Sequence, residues 1–147
     1  MRNIFHLMIL AAMAAGVSSC SQDINEGVDF VSPRVAMACN TFEVSRGETV
    51  DLNAVLTDES GVAYISLEYS DWNIKTEEAL DAATTGTYTF NYSFKVPDDA
   101  MLSWQETYTK HDGTKFDITQ CYHKIALTCY DGVRNQNTIY FYVKVKE

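Results

Sequence analysis

"YTFNYSFKV", residues 88–96, places Tyr88, Phe90, Tyr92, Phe94 and Val96 at every second position, with Thr89, Asn91, Ser93 and Lys95 between them. A period of two puts the rings on one face of an extended chain and the polar groups on the other, the pattern of a half-buried strand and not of a helix. The same period recurs outward from this stretch. Upstream it runs through Val35, Met37 and Cys39, then Val50, Leu52, Ala54 and Leu56, then Ile65, Leu67 and Tyr69. Downstream it returns in Ile125, Leu127 and Cys129 and in Ile139, Phe141, Val143 and Val145. Turn residues separate the runs: Arg46-Gly47, Asp58 to Gly61, Gly86 and Asp131-Gly132. Residues 76–83, a threonine followed by Glu77, Glu78, Ala79 and Leu80, are the one helix or turn candidate. Short strands with turns at this spacing predict an all-β, two-sheet antiparallel sandwich.

Three stretches resemble a known family. "RGETVDLNAVLTDESGVAYISLEY", "YTFNYSFKVPDDA" and "YHKIALTCYDGVRNQNTIYFYVKV" are similar to the immunoglobulin-like, cadherin- or PKD-like modules of bacterial surface lipoproteins, especially those of Bacteroidetes. The resemblance covers roughly residues 33–147. It implies an immunoglobulin-like antiparallel β-sandwich of about seven strands, A, B, C, E, F and G plus a short strand in residues 71–86. The chain departs from the pattern in "DGVRN", where Gly132 is displaced. Between E and F lies a long excursion, residues 97–120, in which Asp112-Gly113 predicts the turn of an extra hairpin.

The amino terminus has one basic residue, Arg2, an apolar run over residues 7–17, and then "VSSC" ending at Cys20. That run is too short to span a bilayer as a helix and fits a signal peptide. The ending resembles the bacterial lipobox, which implies cleavage before Cys20 and a lipid on its thiol. Only a thiolate is nucleophilic enough for that step near neutral pH, and two or three acyl chains hold a protein on a membrane. An ordinary secretory signal with Cys20 in a disulfide is the alternative. The expected organisation is a signal peptide over 1–19, a lipidated cysteine and flexible acidic tether over 20–32, and the sandwich over 33–147. Asp23, Glu26 and Asp29 are the charges of the tether. The expected location is the outer membrane, lipid-anchored, facing the periplasm or the cell surface.

The formal net charge of -9 argues against nucleic acid and against anionic lipid surfaces, both of which need basic patches. His111 and His123 stand near no catalytic motif, and His123 falls at an inward position of strand F, so no enzymatic activity is expected. Binding is the expected function. Tyr64 on C, Tyr122 and Tyr130 on F, and Tyr140 and Tyr142 on G share the outward face of one sheet, with Tyr64, Tyr130 and Tyr140 expected near one end. Tyrosine offers rigid apolar area with a hydrogen-bonding tip, suited to stacking a sugar or gripping a protein. Trp104 and Tyr108 in the excursion are the other ligand candidates, and the excursion either covers the tyrosine face or leaves it open. The partner is a glycan or, in the alternative, a surface protein contacted in part by strand addition at a sheet edge.

Asp58, Glu59, Asp131 and Asn135 come from turns that meet at one end of the sandwich, and Asp29 enters from the same end. Oxygen donors of this kind suit calcium, while Asp and Asn are equally the ordinary residues of turns. Of the four cysteines, Cys39 and Cys121 are expected at the same far end, which makes a Cys39–Cys121 disulfide the preferred bridge; three free thiols are the alternative.

Overall fold

The computed structural model describes residues 29–147. The expected signal peptide, Cys20 and the expected tether up to residue 28 lie outside the described residues. Ten strands form β1 (Arg34–Met37), β2 (Thr41–Ser45), β3 (Thr49–Thr57), β4 (Val62–Tyr69), β5 (Ile74–Ala79), β6 (Thr87–Lys95), β7 (Trp104–Thr109), β8 (Lys115–Gln120), β9 (His123–Asp131) and β10 (Gln136–Lys146). One sheet has the order β1-β3-β6 and the other β2-β10-β9-β4-β5, while β7 and β8 make a separate hairpin. This is an immunoglobulin-like sandwich, with A, B and E in one sheet and C, F and G in the other.

The alternation fixes which side chains meet between the sheets. Leu52, Leu56, Ile65, Leu67, Ile125, Leu127, Phe141 and Val143 are fully buried, each contributing about 1.5–3 kcal/mol through removal from water. In β6 the aromatic row takes the inward side, where Phe90 pairs in register with Ala54 and Phe94 with Val50. Large rings thus oppose small or branched residues, which fills the space between the sheets.

The first strand is split. After Met37 the chain leaves β3 and crosses to the other sheet, where β2 runs parallel to β10 from Thr41 opposite Tyr142 to Ser45 opposite Lys146. The signal for β2 is the short alternation of Phe42 and Val44, both packed on the core. The crossover overturns the Cys39–Cys121 bridge. Thr41 and Lys124 both pair with Tyr142, but β2 is parallel and β9 antiparallel to β10. Cys39 therefore lies to one side of that row and Cys121 to the other, separated by about five residues of strand, or roughly 17 Å. All three described cysteines are free thiols.

One other expectation is corrected. Thr76 to Ala79 belong to β5, not to a helix, because this edge position lets Ile74 and Thr76 turn inward while the strand pairs with β4. Pairing and burial outweigh a modest helix propensity. Asn135 Nδ2 donates to the carbonyls of Asp29 and Val31 at 3.0 and 3.2 Å, and Asn137 Nδ2 to that of Pro33 at 2.8 Å. Residues 29–33 thus lie against the β9–β10 turn.

Candidate functional site

The outward face of the five-stranded sheet is built in rows by the register. Tyr64 pairs with Tyr130, and Tyr130 with Gln136. Two rows along, Glu68 pairs with Ala126 and Ala126 with Tyr140; the next outward row joins Lys124 to Tyr142. The expected tyrosine cluster is therefore two groups. Tyr64 and Tyr130 meet edge to face at 5.8 Å at one end. Tyr140 is not with them, because β10 begins at Gln136 and Tyr140 falls in mid-strand. Its ring carries the Lys124 ammonium 3.8 Å from the centroid, and Lys144 stands 5.9 Å over Tyr122. Such cation–π contacts fix the lysine stems across the rings.

The excursion is the predicted hairpin. Gly113 takes a positive φ of 84° at its turn, and Lys110 and Gly113 close it with a backbone bond of 2.9 Å. The register pairs Trp104 with Gln120, Glu106 with Ile118 and Tyr108 with Phe116. These six side chains share one face, while Gln105, Thr107, Lys115, Asp117 and Thr119 share the other. The root of the apolar face is anchored through His123, which is buried. His123 Nε2 donates to the carbonyl oxygen of Met101 at 2.8 Å, and Nδ1 lies 2.8 Å from the Tyr69 hydroxyl. The imidazole packs against Trp72 and Trp104, with centroids 4.4 and 4.8 Å away. His123 is the inward residue expected at the base of strand F, and its task here is to pin the excursion.

The hairpin covers neither the whole tyrosine face nor none of it. Between its apolar face and the sheet runs a groove of ≈ 640 Å³. Trp104, Tyr108, Glu106 and Gln120 form the hairpin wall; Tyr122, Lys124 and Tyr142 form the sheet wall; Tyr69, Asp71 and Thr41 complete it. Of the six ligand candidates, Trp104, Tyr108 and Tyr142 line the groove, Tyr140 borders it through Lys124, and Tyr64 and Tyr130 lie away from it. Glu106 and Gln120 escaped the sequence reading, although "WQETY" at residues 104–108 carries the alternation that puts Trp104, Glu106 and Tyr108 side by side. Tyr69 and Asp71 left no such signal, since Tyr69 has the spacing of a core residue.

Glu106 organises the hairpin wall. It accepts from Tyr108 O–H at 2.5 Å, from Trp104 Nε1 at 2.9 Å and from Gln120 Nε2 at 3.3 Å. These donors, the tyrosine foremost, hold its carboxyl below the ordinary range, and the same bond raises Tyr108 above its own. A carboxylate so held is a fixed acceptor and not a proton donor. Burial, with Asp71 adding to it, pushes the Tyr69 phenol well up.

At the other end of the sandwich, oxygens of Asp29, Asp58 and Asp131 lie within 4.8 Å of one another. Glu59 stands beside Asp58 in the same turn but is not part of this trio. Asp131 accepts from the amides of Val133 and Asn135 at 2.9 and 2.7 Å and from Asn135 Nδ2 at 2.7 Å. Asp58 accepts from the Ser60 amide at 2.8 Å, and Asp29 from Ser60 Oγ at 2.5 Å and the Val31 amide at 2.7 Å. The trio has the donor chemistry for calcium, and most of its oxygens are engaged in holding the two turns together. Burial, then the charges of Asp131, Asp29 and Glu59, raises Asp58 above the ordinary carboxyl value.

No protein-family model matches the chain, and no curated protein matches it. Among solved structures it is similar to "The BIgI domain of beta protein from S. agalactiae bound to CEACAM1", with a TM-score of 0.36 and 16% identity, covering 78% of this chain and 99% of that one.

Proposed function

We propose that the protein is a lipid-anchored outer-membrane lipoprotein whose immunoglobulin-like domain captures glycan, without catalysis, in the groove between the β7–β8 hairpin and the sheet. The lipobox-like "VSSC" at residues 17–20 supports the anchor on Cys20. The groove carries the binding reading: its ≈ 640 Å³ lies within the common range of ligand sites, and aromatic rings alternate along it with fixed hydrogen-bonding groups. The rings of Tyr108, Tyr122 and Tyr142 offer apolar area to the C–H face of a sugar, and Glu106, Gln120 and Asp71 offer partners to its hydroxyls. Glu106 is ionised and triply bonded, which suits it to accept a hydroxyl and not to protonate a glycosidic oxygen.

A protein partner is the second reading, favoured by the outer part of the hairpin. There Tyr108 and Phe116 are 40% exposed and Ile118 39%, a contiguous apolar strip.

Binding to a broad glycan array tests the two. Specific hits weakened at least about tenfold by Tyr108→Ala or Tyr142→Ala, and untouched by Tyr130→Ala, are the expected result. A blank array, or hits that depend on Tyr130 alone, overturns the glycan reading; crosslinking on intact cells through the Phe116–Ile118 strip then tests the protein reading.

A further inference from the structure

A sandwich of two open sheets has four outer edges, and here three are guarded. The β1 edge is four residues long and follows Pro33. The β2 edge is five residues long and carries Glu43, paired with Lys146 at 2.8 Å. The β5 edge holds Lys75, Glu77 and Glu78 within six residues. Short length, charge and proline are the devices by which edge strands avoid foreign pairing. The β6 edge has none of them. It is nine residues long, free of proline, and charged only at its last residue, Lys95. Its ladder partner is β3 alone, and among the described residues no backbone group of 87–95 bonds in the other direction.

The sequence of this edge is nearly the same in both directions. About Asn91 as centre, Phe90 mirrors Tyr92, Thr89 mirrors Ser93, Tyr88 mirrors Phe94 and Thr87 mirrors Lys95. We propose that β6 pairs with β6 of a second copy of this chain, antiparallel about a twofold axis at Asn91, to join the two three-stranded sheets into one of six strands. In that register aromatic residues face aromatic residues on the core side, and hydroxyls face hydroxyls on the outer side, the favourable cross-strand pairs of antiparallel sheets. The single charge meets no like charge: Lys95 faces Thr87 of the second copy, at the end where that copy carries Asp58 and Glu59. A foreign strand would place no demand for symmetry on β6, whereas a twofold contact is self-complementary by construction.

Sedimentation equilibrium of the purified protein up to about 0.1 mM tests the pairing. Asn91→Asp is the decisive variant, because Asn91 Oδ1 accepts from Asn53 Nδ2 at 2.6 Å and a carboxylate keeps that bond. It would place two carboxylates against each other at the axis. The expected result is a wild-type dimer, a dissociation constant raised at least about tenfold in Asn91→Asp at neutral pH, and recovery below about pH 4. The double variant Thr89→Glu, Ser93→Lys sets unlike charges across the axis twice, brings the introduced ammonium beside Asp51, and is expected to tighten the dimer. A wild-type protein monomeric throughout, or a dimer that neither variant moves, overturns the proposal.

Discussion

Cys39 and Cys129 stand at opposite extremes of accessibility in one small domain. Cys129 is sealed between the sheets, and burial pushes its thiol up to about 11. At pH 8 only about one molecule in a thousand carries its thiolate. Cys39 is exposed in the crossover, its Sγ–H directed at the Thr41 carbonyl at 2.8 Å. A disulfide-exchange reagent at pH 8 is therefore expected to label Cys39 in the folded protein at once and Cys129 only after unfolding. Denatured but unreduced protein should titrate all three described thiols, and any loss of thiol would reinstate a bridge. Asp58 gives a pH dependence of unambiguous sign. Its folded carboxyl binds a proton more tightly than the ordinary value of 3.8, so its ionisation opposes folding. That opposition is absent in acid below 3.8 and grows as pH rises through the folded value. Asp58→Asn keeps an acceptor for the Ser60 amide, so it is expected to raise Tm by about 2–4 °C at neutral pH, with the gain vanishing in acid. The same melts with calcium and with chelator test the cation: a calcium-dependent rise that Asp58→Asn removes would place calcium among these carboxylates.

The turns are where the elements depart from what the sequence announces. In "DGVRN" the left-handed position of the β9–β10 turn is held not by glycine but by Arg134, at φ 74°. Gly132 is needed for a different reason, since a Cβ there would sit 2.7 Å from the Ser60 carbonyl oxygen and 2.9 Å from Ala82 Cβ. Arg134→Gly is accordingly expected to stabilise the protein by about 0.5–1 kcal/mol, measured by urea unfolding, because an L side chain is strained where glycine is not. The β7–β8 hairpin was legible from its Asp-Gly turn. The β5 strand, Ile74–Ala79, is the short strand expected within residues 71–86, but its bounds were not legible, because a Thr-Glu-Glu-Ala run has no apolar alternation and the free edge of β4 decides which residues pair.

Across the whole molecule the two sheets are joined by a few large side chains. Phe141, fully buried on β10, meets Phe42 of β2 at 5.9 Å and Phe94 of β6 at 6.3 Å. Phe141→Ala would open a cavity across both sheets and is expected to cost about 3–5 kcal/mol, seen as a lower urea midpoint with little change in m. His123 does the corresponding work for the excursion, joining β9, β4 through Tyr69 and the chain at Met101. The groove exists because this anchor fixes the hairpin root while its tip stands clear of the sheet.

Most of the strands, their inward faces and the sandwich class could be read from the residues alone, because a period of two is a local property that each segment carries within itself. Trp104 and Tyr108 stood out in the same way, since apolar rings in a long connection need a surface to meet. Packing settled the rest: the crossing of β1 into β2, the separation of Cys39 from Cys121, and the division of the tyrosines into two groups. Each depends on which strand lies beside which and in what register. That relation is set by contacts between side chains distant in the chain, and no single stretch of sequence contains it.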